Sequence, residues 1–268
     1  MQSDYASPVK QAMTMKAAAA QQQIHSLDWT RVSDDPNNPE AKARVRQTIR
    51  DIRRVHADTD IVSYVERAAA GKRMLDVGMV NHTRTNWHGE WRHRRFVKVA
   101  SYILGIDILA EMVDQLSKEG YNVRTVDATS EIDLDERFDL IFAGDVIEHV
   151  DNAVGLLKFS GRHLAPGGRI LMSTPNPFSR KFVRQFRREG VIVVNLDHVA
   201  WVTPTMALEI AHRAGLQLTQ VHLNKRISKW KLWLKEKLVW KYEPVEYTFP
   251  DYLYEFTTPS NAELRRNR

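Results

Sequence analysis

Two carboxylates and an imidazole stand close together in FDLIFAGDVIEHV, residues 138–150. An apolar run ends at Gly144, and Asp145, Glu148 and His149 follow at spacings i, i+3 and i+4. In the first turn of a helix that spacing puts all three side chains on one face. A second imidazole, His198, lies downstream in LDHVAWVT. Gathered at the carboxyl end of a sheet, where open α/β folds bind ligands, these groups suit general-base chemistry or a metal ion. Glu148 and His149 are the candidate catalytic pair.

The elements that must position them alternate along the chain. MLDVG, YILGIDI, NVRTVDA, FDLIFAG, GRILMSTP and LQLTQVHL read as strands, and residues 252–257 as a last one. Helical patterns near 90–100, 109–119, 152–164 and 204–214 fall between them, punctuated by Gly120, the turn Pro166-Gly167-Gly168 and Gly215. Strands alternating with helices predict a doubly wound, Rossmann-like α/β fold with a mostly parallel, seven-stranded sheet and right-handed crossovers. Ahead of it, residues 1–58 read as a helical N-terminal extension with pieces at about 8–24 and 39–56, broken by the turn-rich SDDPNNP. A short helix at 61–70 ends at Gly71. Residues 59–226 then form the ligand-binding domain, and the basic, aromatic 227–268 completes the sheet.

Composition narrows the setting. At 43% hydrophobic and 27% charged, the balance is that of a soluble globular protein. No apolar run approaches the roughly 18 residues that span a bilayer. There are no cysteines, which excludes disulfides and thiolate metal sites and fits a cytoplasmic location. A net charge of +6 favours anionic partners without choosing among them.

The strand ends carry a second message. Asp76 and Gly78 close the first strand, with Val77 between them, and Asp107 followed by Ile108 closes the second. An acid in that second position can accept hydrogen bonds from both hydroxyls of a ribose. Asp127 and Ala128 close the third, where a carboxylate can receive an adenine amino group. Any one of these aspartates alone also serves as a helix cap or turn residue. Three in order on successive strands point to an adenosine-containing cofactor laid across them.

Over about residues 61–224 the chain resembles the class I S-adenosylmethionine-dependent methyltransferases. The resemblance rests on LDVG, GIDI, VDA, FDLIFAGDVIEHV, LAPGGRILMSTPNP and DHVAWVTPTMALEIAHRAGL. It implies that Asp76, Val77 and Gly78 lie under the methionine part of S-adenosylmethionine and that Asp107 and Ile108 hold the ribose. It further implies that Asp127 and Ala128 flank the adenine and that Gly144 and Asp145 line the sulfonium pocket. One departure stands out: where the family has D-V-G-x-G-x-G, this chain has D-V-G-M-V-N-H, with Val80 and His82 in place of glycines. Glycine permits close backbone approach to a ligand, so the loop is reshaped, with Asn81 or His82 offering a side-chain contact. A pyrophosphate needs that close approach; S-adenosylmethionine has none, which argues against a nicotinamide cofactor.

D-x-x-E-H followed by a distant D-H-x-x-W-x-T resembles the metal-dependent branch, whose members methylate the terminal ribose of small RNAs or the phenols of quinone biosynthesis. That resemblance implies a ligand set of Asp145, Glu148, His149 and His198, suited to Mg²⁺, Mn²⁺ or Zn²⁺. Three roles stay open for Glu148 and His149: metal ligands, a metal-free base, and a structural cap. A hydroxyl on a glycan or lipid-linked saccharide is the preferred acceptor, ahead of an RNA ribose or a quinone-type phenol; the altered glycine loop leaves a non-catalytic, methyltransferase-like binding protein as the alternative. Two basic segments remain. In WHGEWRHRRFVK, residues 87–98, the tryptophans belong to the core or face the acceptor. In ISKWKLWLKEKLVWK, residues 227–241, tryptophans and leucines at helical spacing sit among lysines. Such a helix packs on the domain, lies on an anionic membrane surface, meets a protein partner or, least favoured, stacks on nucleic acid.

Overall fold

The computed structural model describes residues 29–80 and 91–259. The expected helix at 8–24 and the loop residues Asn81, His82 and Trp87 lie outside that range. The chain divides into two compact units, Met1–Ile52 and Arg53–Arg268. In the first, helix α1 (Pro39–Asp51) starts where SDDPNNP ends: Asn38 caps it by accepting a hydrogen bond from Ala41 N at 3.0 Å, and Pro39 occupies the first turn.

The second unit is an eight-stranded sheet: β1 (Arg53–His56), β2 (Arg73–Val77), β3 (Tyr102–Asp107), β4 (Val123–Thr125), β5 (Phe138–Gly144), β6 (Leu164–Pro175), β7 (Gln217–Asn224) and β8 (Asp251–Thr257). Their spatial order is β1-β7-β8-β6-β5-β2-β3-β4. Only β8 runs against its neighbours, pairing antiparallel with both β6 and β7. The helices are α2 (Ile61–Ala69), α3 (Arg92–Val97), α4 (Ala110–Lys118), α5 (Ala153–Arg162), α6 (Arg180–Glu189), α7 (Pro204–Arg213) and α8 (Lys229–Leu234).

The central strands are mostly apolar because both faces are covered. Met74 and Leu75 of β2 and Leu140, Ile141 and Phe142 of β5 are all buried. One face packs with Val65 and Ala69 of α2 and Phe96 of α3, whose ring meets Phe142 edge-on at 5.7 Å. The strand order reverses between β2 and β5: β2 leads outward to β3 and β4, while β5 leads the other way. Such a switch point splays the loops at the carboxyl edge and opens a crevice.

The predicted fold class stands, with three corrections. The helix expected over 39–56 stops at Asp51, and Arg53–His56 pairs with Val221–Asn224 of β7, making eight strands rather than seven. The segment after β5 is a turn, not the first turn of a helix; α5 begins only at Ala153, capped by Asn152. Thirdly, the stripe of 227–241 packs on the domain only in part: Trp240 donates to Thr248 and lies against Phe249, and Ile227, Leu232 and Val239 are half-buried, whereas Trp230, Trp233 and Leu238 stay exposed. Helix α6 was not expected at all. Among the described residues, no helix is long and apolar enough to cross a membrane.

Candidate active site

A cavity of about 740 Å³ lies at the switch point, walled by the loops after β2, β3, β4 and β5. Val77, Gly78, Asp107 and Ile108 line it on one side, and Asp127, Ala128, Gly144 and Asp145 continue the wall. Gly78 is at φ +66°, and a Cβ there would stand 2.4 Å from Val146 Cγ2, so glycine is required on both counts. Asp107 fastens two loops: its Oδ2 accepts from Val80 N at 3.0 Å and its Oδ1 from Leu109 N at 3.2 Å. Asp127 Oδ1 accepts from Thr129 N and Oγ1 at 2.8 and 2.7 Å, which fixes the turn after β4.

Asp76 is the one cofactor residue of the sequence reading that does not reach the wall. It is fully buried, with Oδ2 2.8 Å from His93 Nδ1. Side chains on a strand alternate between faces, so Asp76 turns away from the cavity toward α3. Trp91, 2% exposed, is a core residue whose Nε1 donates to Met79 O at 2.7 Å. Arg92 went unrecognised in the sequence. Its guanidinium donates to Gly144 O at 2.9 Å and to Gly78 O at 2.5 Å, tying the ends of β5 and β2 together. A cation in the first turn of a helix opposes the macrodipole, a local conflict that hints at acceptors waiting elsewhere.

Along the same cavity the acids and imidazoles converge. Asp145 takes a left-handed conformation, φ +53°, and its Oδ1 accepts from Ser173 Oγ at 2.8 Å. The sharp turn that follows buries Glu148 to 1% exposure, and neither carboxylate oxygen makes a well-formed hydrogen bond, the Thr174 hydroxyl being the neighbour that weakly favours its charged form. Burial pushes this carboxyl up to about 8, and the charge of Asp145 adds to the shift. The Glu148 carbonyl accepts from Val199 N at 2.8 Å, which pins the distant His198 segment over the turn. The rings of His149 and His198 therefore meet edge to face at 4.5 Å, and His149 Nδ1 lies 3.2 Å from Asp197 Oδ2. Burial, then the neighbouring His149, lowers the pKa of His198.

Glu148, His149 and His198 offer ligand atoms that all lie within 4.8 Å of one another. Asp145, read from the sequence as a fourth ligand, stands outside that group. A carboxylate whose oxygens lack well-formed hydrogen bonds, beside two imidazoles, is a donor set that fits a divalent cation. Asp251, which no motif marked, completes the electrostatics: burial and then Asp145 raise its carboxyl to about 7.

Comparison with known proteins identifies the family. The family model described as a methyltransferase domain matches residues 49–221. A ubiquinone biosynthesis O-methyltransferase from Shewanella halifaxensis (strain HAW-EB4) is 24% identical over 170 residues, covering 58% of this chain and 69% of that protein. Among solved structures, a SAM-dependent methyltransferase from Archaeoglobus fulgidus aligns with a TM-score of 0.50 at 17% identity, over 73% of this chain and 92% of its own. The CcbJ methyltransferase from Streptomyces caelestis aligns with a TM-score of 0.49 at 14% identity, over 74% and 87%. The family match spans the sheet from before β1 into β7, the strands whose ends build the cavity, and the chain belongs to the methyltransferase-domain family as a class I S-adenosylmethionine-dependent methyltransferase.

Proposed function

We propose that this enzyme methylates a hydroxyl oxygen, on a glycan or lipid-linked saccharide. The observation that carries the reading is the Glu148–His149–His198 group along the cofactor cavity. S-adenosylmethionine supplies an electrophilic methyl group, and transfer from it is chiefly a matter of positioning. A hydroxyl is a poor nucleophile until its proton has somewhere to go. Glu148, buried and without a well-formed hydrogen bond, takes that proton at a carboxylate oxygen. His149, oriented by Asp197, stands beside it to pass the proton on. Asp107, with one backbone donor on each oxygen, keeps lone pairs for the ribose hydroxyls, while Asp127 and Ala128 border the adenine. Val77, Gly78 and Ile108 supply the floor, and Gly144 and Asp145 face the sulfonium, where the Asp145 charge favours a cation.

In a second reading Glu148, His149 and His198 hold Mg²⁺, Mn²⁺ or Zn²⁺, which would acidify the hydroxyl. The Glu148 oxygens, which lack well-formed hydrogen bonds, favour it. Dialysis against a chelator decides between the two. Full turnover afterwards selects the metal-free base, whereas lost turnover regained with Mn²⁺, together with a bound ion in native mass spectrometry, selects the metal.

The lipid-linked acceptor is supported by α8. Trp230, Trp233 and Leu238 are 64%, 59% and 56% exposed, with Lys229, Lys231, Lys237 and Lys241 exposed among them. That pairing suits the interface of an anionic bilayer. The protein is expected to float with vesicles containing phosphatidylglycerol and not with phosphatidylcholine alone; a Trp230→Ala/Trp233→Ala variant should stay in solution. Equal recovery with both vesicle types would remove the support. The name of the Shewanella relative favours a quinone-type phenol as the competing acceptor.

A further inference from the structure

A second cavity, of about 360 Å³, opens between the start of α2, the ends of β6 and β7, and the start of β8. Arg92 and Asp145 line both cavities, so the two chambers meet beside Gly144, where the sulfonium is placed above.

Asn224, the last residue of β7, is 4% exposed, and neither its amide nitrogen nor its amide oxygen has a hydrogen-bond partner. Its direction follows from strand periodicity. Residues two apart share a face, and His222 packs on Tyr64 of α2 with ring centroids 5.0 Å apart. Asn224 therefore also faces α2, whose Ile61 and Val62 form the opposite wall of the chamber. Buried side-chain amides without partners are rare in folded proteins, and one that lines a cavity marks a place where a ligand supplies the missing bonds.

The charges of the chamber narrow that ligand. Asp60, Asp145 and Asp251 stand against Arg92, Lys225 and Arg226, three of each sign. Each cation already holds a partner, although the buried Nε of Arg92 has none. Arg226 pairs with Asp60 at 2.8 Å and donates to Ser63 Oγ, Lys225 donates to Thr248 O at 3.1 Å, and Arg92 holds the two strand-end carbonyls. The three carboxyls beside them oppose an added phosphate or carboxylate. Paired donors and acceptors do remain, against an apolar wall of Ile61, Val62 and Phe142. An amide reads two neighbouring hydroxyls at once, and a flat apolar wall suits the C–H face of a pyranose. A phenol with a single hydroxyl would satisfy one of the two polar groups, Asn224 or Asp251, and leave the other open.

We propose that this second chamber seats the acceptor, a neutral sugar ring whose adjacent hydroxyls bind the Asn224 amide and the Asp251 carboxyl while its reacting hydroxyl reaches past Asp145, shared by both cavities, toward Glu148 of the first. The assignment rests on the O-methyltransferase reading above and names its substrate class.

The test uses the full chain saturated with S-adenosylhomocysteine, with methyl α-D-glucopyranoside and catechol as separate probes in saturation-transfer NMR. Contact with the sugar ring protons is expected, weakened about tenfold in Asn224→Leu, the loss of one neutral hydrogen-bonding group. The same variant should keep its affinity for S-adenosylhomocysteine and melt no lower than the wild type, because it removes a buried unpartnered amide. Asp251→Ala is the second variant and should weaken the sugar alike. Sugar contact unchanged in both variants, or contact with catechol alone, overturns the assignment. No binding of S-adenosylhomocysteine by the wild type would remove the underlying reading, and the acceptor site with it, and calorimetry without any sugar shows that case separately.

Discussion

Replacing Glu148 with Gln is expected to slow methyl transfer by about a hundred- to ten-thousandfold, the span of general-base contributions, without changing affinity for S-adenosylhomocysteine. Glutamine keeps the shape of the side chain and cannot take a proton. Glu148 lines the cavity apart in the chain from Asp107, Asp127 and Ala128, to which the adenosine is assigned in the proposed reading, so binding of the product nucleoside should be indifferent to the change. A pH profile separates this role from a structural one. With its carboxyl held at about 8, Glu148 is mostly protonated at pH 7, and the base form accumulates only above that value. The rate constant kcat/KM in the metal-free enzyme should therefore climb about tenfold per pH unit below about 8 and level off above it. A Glu148→Gln variant within a few-fold of wild type, or a wild-type profile flat from pH 6 to 9, would exclude Glu148 as the base.

The second large effect is on stability. Glu148 is raised from 4.5 to about 8 and Asp251 from 3.8 to about 7, each first by burial and then by Asp145. A folded-state pKa above the unfolded one means that the native protein holds the proton more tightly. The favourable contribution is complete below the unfolded values and disappears as pH rises through about 7 to 8. Both carboxyls respond to the same Asp145 charge, so their effects are not additive; together the loss is on the order of 4 kcal/mol between pH 5 and 9. Urea unfolding of the metal-free wild type should show that decline, and a Glu148→Gln/Asp251→Asn protein should be nearly level over the same range. Equal slopes for the two proteins would contradict the assignment. Mn²⁺ offers an added arm: a cation on Glu148 favours the ionised carboxylate, so it should flatten the wild-type decline if the metal reading holds.

Much of the scaffold was legible because its central strands are buried on both faces and so carry mostly apolar runs. The same strands end in Gly78, Asp107, Asp127 and Gly144, and the structure sets all four on one cavity wall. What escaped had weaker local signals. Strand β1 is Arg-Arg-Val-His, an edge strand with a single apolar residue, and its pairing with β7 lies far away in sequence. Helix α6 buries only Phe182, and its run of basic residues masked the helical spacing of Phe182, Val183 and Phe186. The turn at Asp145 depends on a left-handed conformation that a non-glycine residue seldom adopts, so no propensity announces it. Asp76 shows the converse failing: its place in the motif was plain, and the alternation of the strand turned it inward to His93. Asn224 and Asp251 are brought together only by the entry of β8 between β6 and β7, an arrangement that nothing in either local segment encodes.

That entry has a consequence for how the protein is made. Strands β6 and β7 leave the ribosome before β8 and cannot pair with each other in the finished order, because β8 separates them. Each waits with an open row of amide and carbonyl groups until residues 251–257 emerge. A nascent chain at that stage holds two unprotected edges side by side, the condition under which strands recruit neighbours from other chains. Synthesis halted between β7 and β8 should therefore yield aggregation rather than a soluble fragment, and co-expression of a peptide spanning Asp251–Thr257 should relieve it in trans.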